Sequence, residues 1–163
     1  MVKLRSNNLG EKMKILVING PNINMLGTRE PEIYGSTTME DINKELVEYS
    51  KTIDENIEFE FFQSNHEGDI VDKIQNAKDF DGLIINPAAY THTSVAISDA
   101  IKGVGIKTVE VHLSNPHARE EFRRTSFVSP VSVGIVAGFG KESYKLALCG
   151  LYNKLKWIKN LDF

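Results

Sequence analysis

A chain of 163 residues is long enough for one domain with a full hydrophobic core and too short to need a second. With 41% hydrophobic and 25% charged residues it reads as an ordinary globular protein, with no compositional sign of disorder. The formal net charge of -3 argues against a general polyanion-binding surface, so no nucleic-acid partner is expected, while a local anion site stays open.

The single cysteine, Cys149, excludes a disulfide framework and fits a reducing cytoplasm; the burial habit of free thiols predicts a place in the core. No segment reaches the roughly 20 apolar residues of a membrane span, so no membrane association is expected. Residues 1–12 lack the apolar run and cleavage site of a signal peptide and are read as a polar extension, with Met13 an alternative start. Residues 13–163 are read as one α/β domain.

In chain order, residues 14–19 (K-I-L-V-I-N) form a short, β-branched apolar run, the pattern of a strand buried on both faces, which stops at Gly20-Pro21. Residues 19–35 make a long Gly/Pro/Asn-rich loop that carries Arg29 and Tyr34 past the strand end. Loops of this length in compact α/β units tend to be lids or binding loops, so this one is expected to close over a small anionic substrate. Thr38 then predicts the cap of a helix with Met39, Ile42, Leu46 and Tyr49 at helical spacing, ending near Lys51. Residues 57–63 alternate imperfectly, which predicts a strand near a sheet edge; Asn65 to Gly68 turn the chain, and Ile70, Ile74 and Ala77 resume helical spacing.

A second continuous apolar strand lies within residues 80–87 and again ends at Asn-Pro. A helix is expected from about Thr93 through Ile101, ended by Gly103 and Gly105, then a strand over 107–113. Residues 114–125 read as a charged loop or short helix, 131–137 as a fifth strand, and 141–159 as a closing helix around which Leu146, Cys149, Tyr152 or Asn153, and Lys156 or Trp157 are spaced. Strands alternating with helices predict a flavodoxin-like, doubly wound, five-stranded parallel sheet with helices on both faces. Ligands of such sheets bind beyond the C-terminal strand ends, which is where Asn22, Asn86 and His112 fall.

Four groups in this sequence carry chemistry, and each also has a plainer reading. In N-P-A-A-Y-T-H-T-S, Asn86 to Ser94, one of Thr91, Thr93 and Ser94 caps the next helix, while Asn86 and His92 have the chemistry to hydrogen-bond a polyol. Glu110 and His112 lie two apart on a strand and so share a face, where a carboxylate orients an imidazole and favours its protonated form, a competent general acid. A surface Glu-His pair is the alternative. Arg119 and Arg123, at i,i+4, share one side of any helix formed there, and one of them is suited to fork a carboxylate; the alternative is a solvated face paired with Glu120 and Glu121. Tyr34 is a base only if cations such as Arg29 and Arg119 stabilise its phenolate, and otherwise covers apolar surface.

The histidines at 66, 92, 112 and 117 lack metal-ligand spacing, and no phosphate-binding glycine motif follows the first strand, so neither a metal nor a nucleotide cofactor is expected. Two other classes remain on paper: a flavodoxin-like flavin or nucleotide module, and a hydrolase built from Ser94, His92 and Asp99, which has no G-x-S-x-G elbow.

Three blocks in order, N-G-P-N-I-N-M-L-G-T-R-E-P-E-I-Y-G, N-P-A-A-Y-T-H-T-S-V-A and E-V-H-L-S-N-P-H-A-R-E-E-F-R, make residues 13–157 closely resemble type II 3-dehydroquinate dehydratase. The resemblance implies a cofactor-independent anti elimination of water from 3-dehydroquinate through an enolate, giving 3-dehydroshikimate in the shikimate pathway. By position, Tyr34 matches the proton-abstracting tyrosine, Arg29 the lid arginine, His112 the general acid, Glu110 its neighbouring carboxylate and Asn22 the asparagine that helps stabilise the enolate through an ordered water. Arg119 matches the arginine near the tyrosine. Asn86, His92, the Leu113 and Ser114 amides and Arg123 match substrate-binding positions, and Asp99 an aspartate reaching the site from an adjacent subunit. The family's usual assembly, a cytoplasmic homododecamer of four trimers, is expected with it. The chain departs from the family at Ala88, where Gly is frequent, and at Thr28, where the residue is frequently basic.

Overall fold

Five parallel strands alternate with helices in the computed structural model, which describes residues 11–28, 32 and 35–160. The strands are β1 (Met13–Asn19), β2 (Ile57–Gln63), β3 (Gly82–Asn86), β4 (Lys107–His112) and β5 (Gly134–Ala137), hydrogen-bonded in the order β2-β1-β3-β4-β5. Strand order reverses between β1 and β3, so the crevice of this doubly wound sheet opens where those two strands end. Asn19 and Asn86 are partners in register there.

Both faces are covered by helices: α1 (Met39–Ser50), α2 (Glu67–Gln75), α3 (Val95–Val104) and α4 (Glu142–Lys159). The two-residue period of β1 divides its side chains between two cores. Ile15 and Val17 pack with Ile42 and Leu46 of α1 and with Leu148 and Leu151 of α4, while Leu16 and Ile18 pack with Ile70 and Ile74 of α2 and Ile97 and Ile101 of α3. That double burial is why β1 and β3 are continuously apolar. β2, with a partner on one side only, alternates as expected of an edge.

Local signals set most boundaries. Thr38 closes a capping box with Asp41, its hydroxyl accepting from the Asp41 amide at 3.1 Å and its own amide donating to the Asp41 carboxylate at 3.0 Å. Ser94 caps α3 by accepting from the Ile97 amide at 3.0 Å. Among the described residues, no helix is long and apolar enough to cross a membrane.

Three expectations need correction. α3 runs through Gly103 to Val104 and ends at Gly105, whose φ of 73° supplies the left-handed cap; Gly103 is an interior residue. β5 starts at Gly134, because Ser129–Val131 form a 3-10 turn in which Pro130 has no N–H to give a sheet. Residues 114–125, expected as a charged loop or short helix, do form a loop, with two short 3-10 turns at Pro116–Ala118 and Glu121–Arg124. On α4 the buried stripe is Tyr144, Ala147, Leu148, Leu151 and Leu155, whereas Leu146 and Trp157 are exposed and Cys149 is only partly buried. Of the extension at residues 1–12, residues 1–10 lie outside those described.

Candidate active site

Beyond the ends of β1, β3 and β4 lies a cavity of about 130 Å³. At roughly 10–15 Å³ per enclosed water, that is room for a small organic molecule. Asn22, Asn86, His92, His112, Leu113, Ser114, Arg119 and Arg123 all line it, with Ile23, Leu26 and Ala88 among its apolar surfaces. Gly20 lets the first two walls meet: its amide donates to the Asn86 carbonyl at 2.8 Å, and a Cβ there would sit 2.3 Å from the Pro87 carbonyl oxygen.

Asn22 takes a left-handed backbone, φ 68°, a conformation asparagine tolerates better than most residues. Its amide donates to the Asn65 side-chain oxygen at 3.0 Å, which also accepts from Gln63 at 3.2 Å. The Tyr90 hydroxyl donates to the Asn65 carbonyl at 2.7 Å, so one residue after β2 braces the turns on two sides of the cavity. Ala88, the second non-glycine residue with positive φ among those described, sits at 51° on the cavity wall. The departure noted in the sequence is thus a side chain held in glycine's conformation.

Glu110 is completely buried and lies on β4 two residues before His112. Its carboxylate accepts from the His112 Nε2–H at 2.7 Å, from the Ser126 hydroxyl at 2.9 and 3.1 Å, and from the hydroxyls of Thr91 and Ser129. The Ser126 oxygen itself accepts from the Val128 and Ser129 amides, at 3.1 and 2.9 Å, which turns its proton toward the carboxylate. Burial alone would raise this carboxyl; the hydrogen bonds from His112, Ser129 and Thr91 outweigh it and hold Glu110 below the ordinary glutamate value. The result is a fixed anion that occupies one nitrogen of His112. Thr91, weighed in the sequence as a helix cap, serves this carboxylate instead.

His92 donates from Nδ1 to the Thr125 carbonyl at 2.7 Å, since a carbonyl oxygen only accepts. The same side chain lines the cavity. Arg123 donates to Glu120 at 2.8 Å and lies over the Phe122 ring, and Arg119 Nε stands 3.7 Å from the same carboxylate. Each arginine is thus paired with Glu120, as in the charged-face reading, and each also lines the cavity. They do not share a helix face, since Arg119 is extended between two 3-10 turns.

A second cavity of about 290 Å³ is lined by Thr91, Glu110, Ser126 and Ser129, and it shares His92, His112, Pro116 and Arg123 with the first. Asp99 is exposed on α3 and lines neither cavity of its own chain. Arg29 and Tyr34 lie outside the described residues. Ser126, Ser129, Asn65 and Tyr144 escaped the sequence reading: the serines follow no motif, and Asn65 looked like a turn residue. Tyr144 did have a signal, because residues 144, 147, 148, 151 and 155 form the i, i+3, i+4, i+7 stripe of a buried face.

The family described as "Dehydroquinase class II" matches residues 13–152. A protein of Geotalea daltonii named 3-dehydroquinate dehydratase is 57% identical over 145 residues, covering 88% of this chain and 99% of the relative. One of the same name from Fusobacterium nucleatum is 56% identical over 147 residues, covering 87% and 100%. Among solved structures, the type II dehydroquinase of Butyrivibrio crossotus matches with a TM-score of 0.83 at 51% identity, covering 88% of this chain and 99% of that one.

Proposed function

The chain belongs to the class II dehydroquinases, and from that membership we propose that it removes water from 3-dehydroquinate through an enolate, giving 3-dehydroshikimate. One observation carries the reading above the rest: a buried, multiply bonded Glu110 holds His112 by Nε2 on the wall of a small cavity that Asn22, Asn86 and Arg123 share. With Nε2 engaged, Nδ1 is the nitrogen that delivers a proton.

In this mechanism the Tyr34 phenolate, stabilised by Arg29, takes the proton from the carbon beside the ketone on the face opposite the departing hydroxyl. The electron pair moves onto the ketone oxygen, where Asn22, through an ordered water, and Arg29 stabilise the enolate. Collapse of the enolate expels the hydroxyl, which takes the proton of His112 and leaves as water. Tyr34 ends protonated and His112 neutral, so one proton returns from the first to the second, directly or by solvent, before the next turnover. Arg123 and the amides of Leu113 and Ser114 hold the substrate carboxylate; Asn86 and His92 hold its hydroxyls. Arg119 supports the phenolate. Closure of residues 22–37 over the cavity excludes water and strengthens these contacts.

Asp99 reaches the site of a neighbouring copy, which suits an exposed residue that lines neither of the two cavities described above, and the assembly is a homododecamer of four trimers working in a biosynthetic cytoplasmic pathway. The chemistry is tested with 3-dehydroquinate deuterated stereospecifically on the carbon beside the ketone, the product being read by NMR. Product that has lost the label anti to the hydroxyl is expected. Loss of the syn label, or no product, overturns the mechanism.

A further inference from the structure

Tyr144 of α4 is the largest fully buried polar side chain among the described residues, and no step above uses it. Its hydroxyl stands between the two asparagines that end β1 and β3, 2.5 Å from Asn19 Oδ1 and 3.0 Å from Asn86 Nδ2. The polarity of this chain follows from one backbone group. The Ala88 amide only donates, so the Asn86 atom 3.1 Å away from it is the oxygen. Asn86 therefore turns its nitrogen to Tyr144, the phenol oxygen accepts, and the phenol proton goes to Asn19. Burial pushes the Tyr144 phenol well above its ordinary value, against the smaller opposing effect of the Asn86 bond, so it stays an O–H at any working pH.

Asn86 is left with one N–H uncommitted, in a side chain that lines the cavity. We propose that Tyr144 is a positioning residue which, by accepting one N–H of Asn86 and passing its own proton to Asn19, fixes the Asn86 amide so that its second N–H donates to a substrate oxygen. The proposal deepens the reading of Asn86 as a substrate-binding residue and rests on it. Without the hydroxyl, Asn86 Nδ2 and Asn19 Oδ1 face an aromatic edge in a dry core, and the amide is released to turn toward water.

The test is a cycle of Tyr144→Phe, Asn86→Ala and the double variant, with kcat and KM measured on 3-dehydroquinate. Tyr144→Phe keeps the ring in the core and is expected to raise KM about fivefold, the size of one neutral hydrogen bond, with kcat within about twofold. Asn86→Ala raises KM at least as far, and adding Tyr144→Phe to it changes KM no further. Asn19→Ala breaks the chain from its other end and carries the same criteria should Tyr144→Phe not fold. If Asn86→Ala raises KM while Tyr144→Phe and Asn19→Ala leave it alone, or if the effects multiply in the double variant, the positioning role is overturned. An unchanged KM in Asn86→Ala instead contradicts the substrate-binding reading beneath it.

Discussion

At Glu110 a carboxylate is buried completely, and burial of a charge is tolerated only where donors surround it. Four side chains do so, from β4, from the turn after β3 and from the loop before β5. Replacing it by glutamine puts an NH₂ group where every neighbour donates. Glu110→Gln should therefore lower kcat on the order of 10²- to 10⁴-fold by misorienting His112, a loss to be read by steady-state kinetics. The same residue has a stability signature. Its folded pKa lies below the ordinary 4.5, so the native state binds fewer protons than the unfolded one as pH falls through that range. Its contribution is present above 4.5 and is lost as pH drops through the folded value. Urea midpoints measured between about pH 3 and pH 7 should fall on the acid side for the native chain, and less steeply for Glu110→Gln.

At the scale of elements, the site exists because three strand ends and their turns approach one another, and the closest approach is at Gly20. A Cβ there meets the Pro87 carbonyl at 2.3 Å and its carbon at 2.7 Å, both backbone atoms that yield only by moving the turn after β3. Gly20→Ala should cost about 1–3 kcal/mol in denaturant unfolding and raise KM, because Asn86 and His92 move with that turn. Much of this arrangement is legible in the residues themselves. The two continuously apolar strands, each ending at asparagine, mark β1 and β3 and the switch point between them, and the Glu-x-His spacing on β4 puts both side chains on one face. What escapes is whatever depends on distant packing. Ser126 and Ser129 bond a carboxylate 16 and 19 residues away, and the turn that Ser129 opens shortens β5. Tyr144 touches residues 125 and 58 positions earlier, a relation no local period encodes. The i,i+4 spacing of Arg119 and Arg123 would put them on one side of a helix, but Pro116 and two 3-10 turns shape this segment, and it is those turns that bring both arginines to the cavity.

At the scale of the whole molecule, a parallel sheet with one switch point brings the turns after β1, β3 and β4 to a single crevice and leaves Asp99 exposed on α3. If that aspartate completes a neighbour's site, activity depends on assembly. Light scattering should then give a mass near twelve chains, and dilution that releases monomers should abolish turnover; a fully active monomer would refute the shared site. The central claim is that a phenolate starts, and His112 completes, a dehydration of 3-dehydroquinate. It is tested most directly by adding that compound to the purified protein and following the ultraviolet absorbance of the enone product, with a chelator present, beside Tyr34→Phe and His112→Ala. The account predicts rapid product with the native chain, undiminished by the chelator, and turnover reduced by orders of magnitude in both folded variants. An untouched substrate, or near-native kcat in Tyr34→Phe, would contradict it.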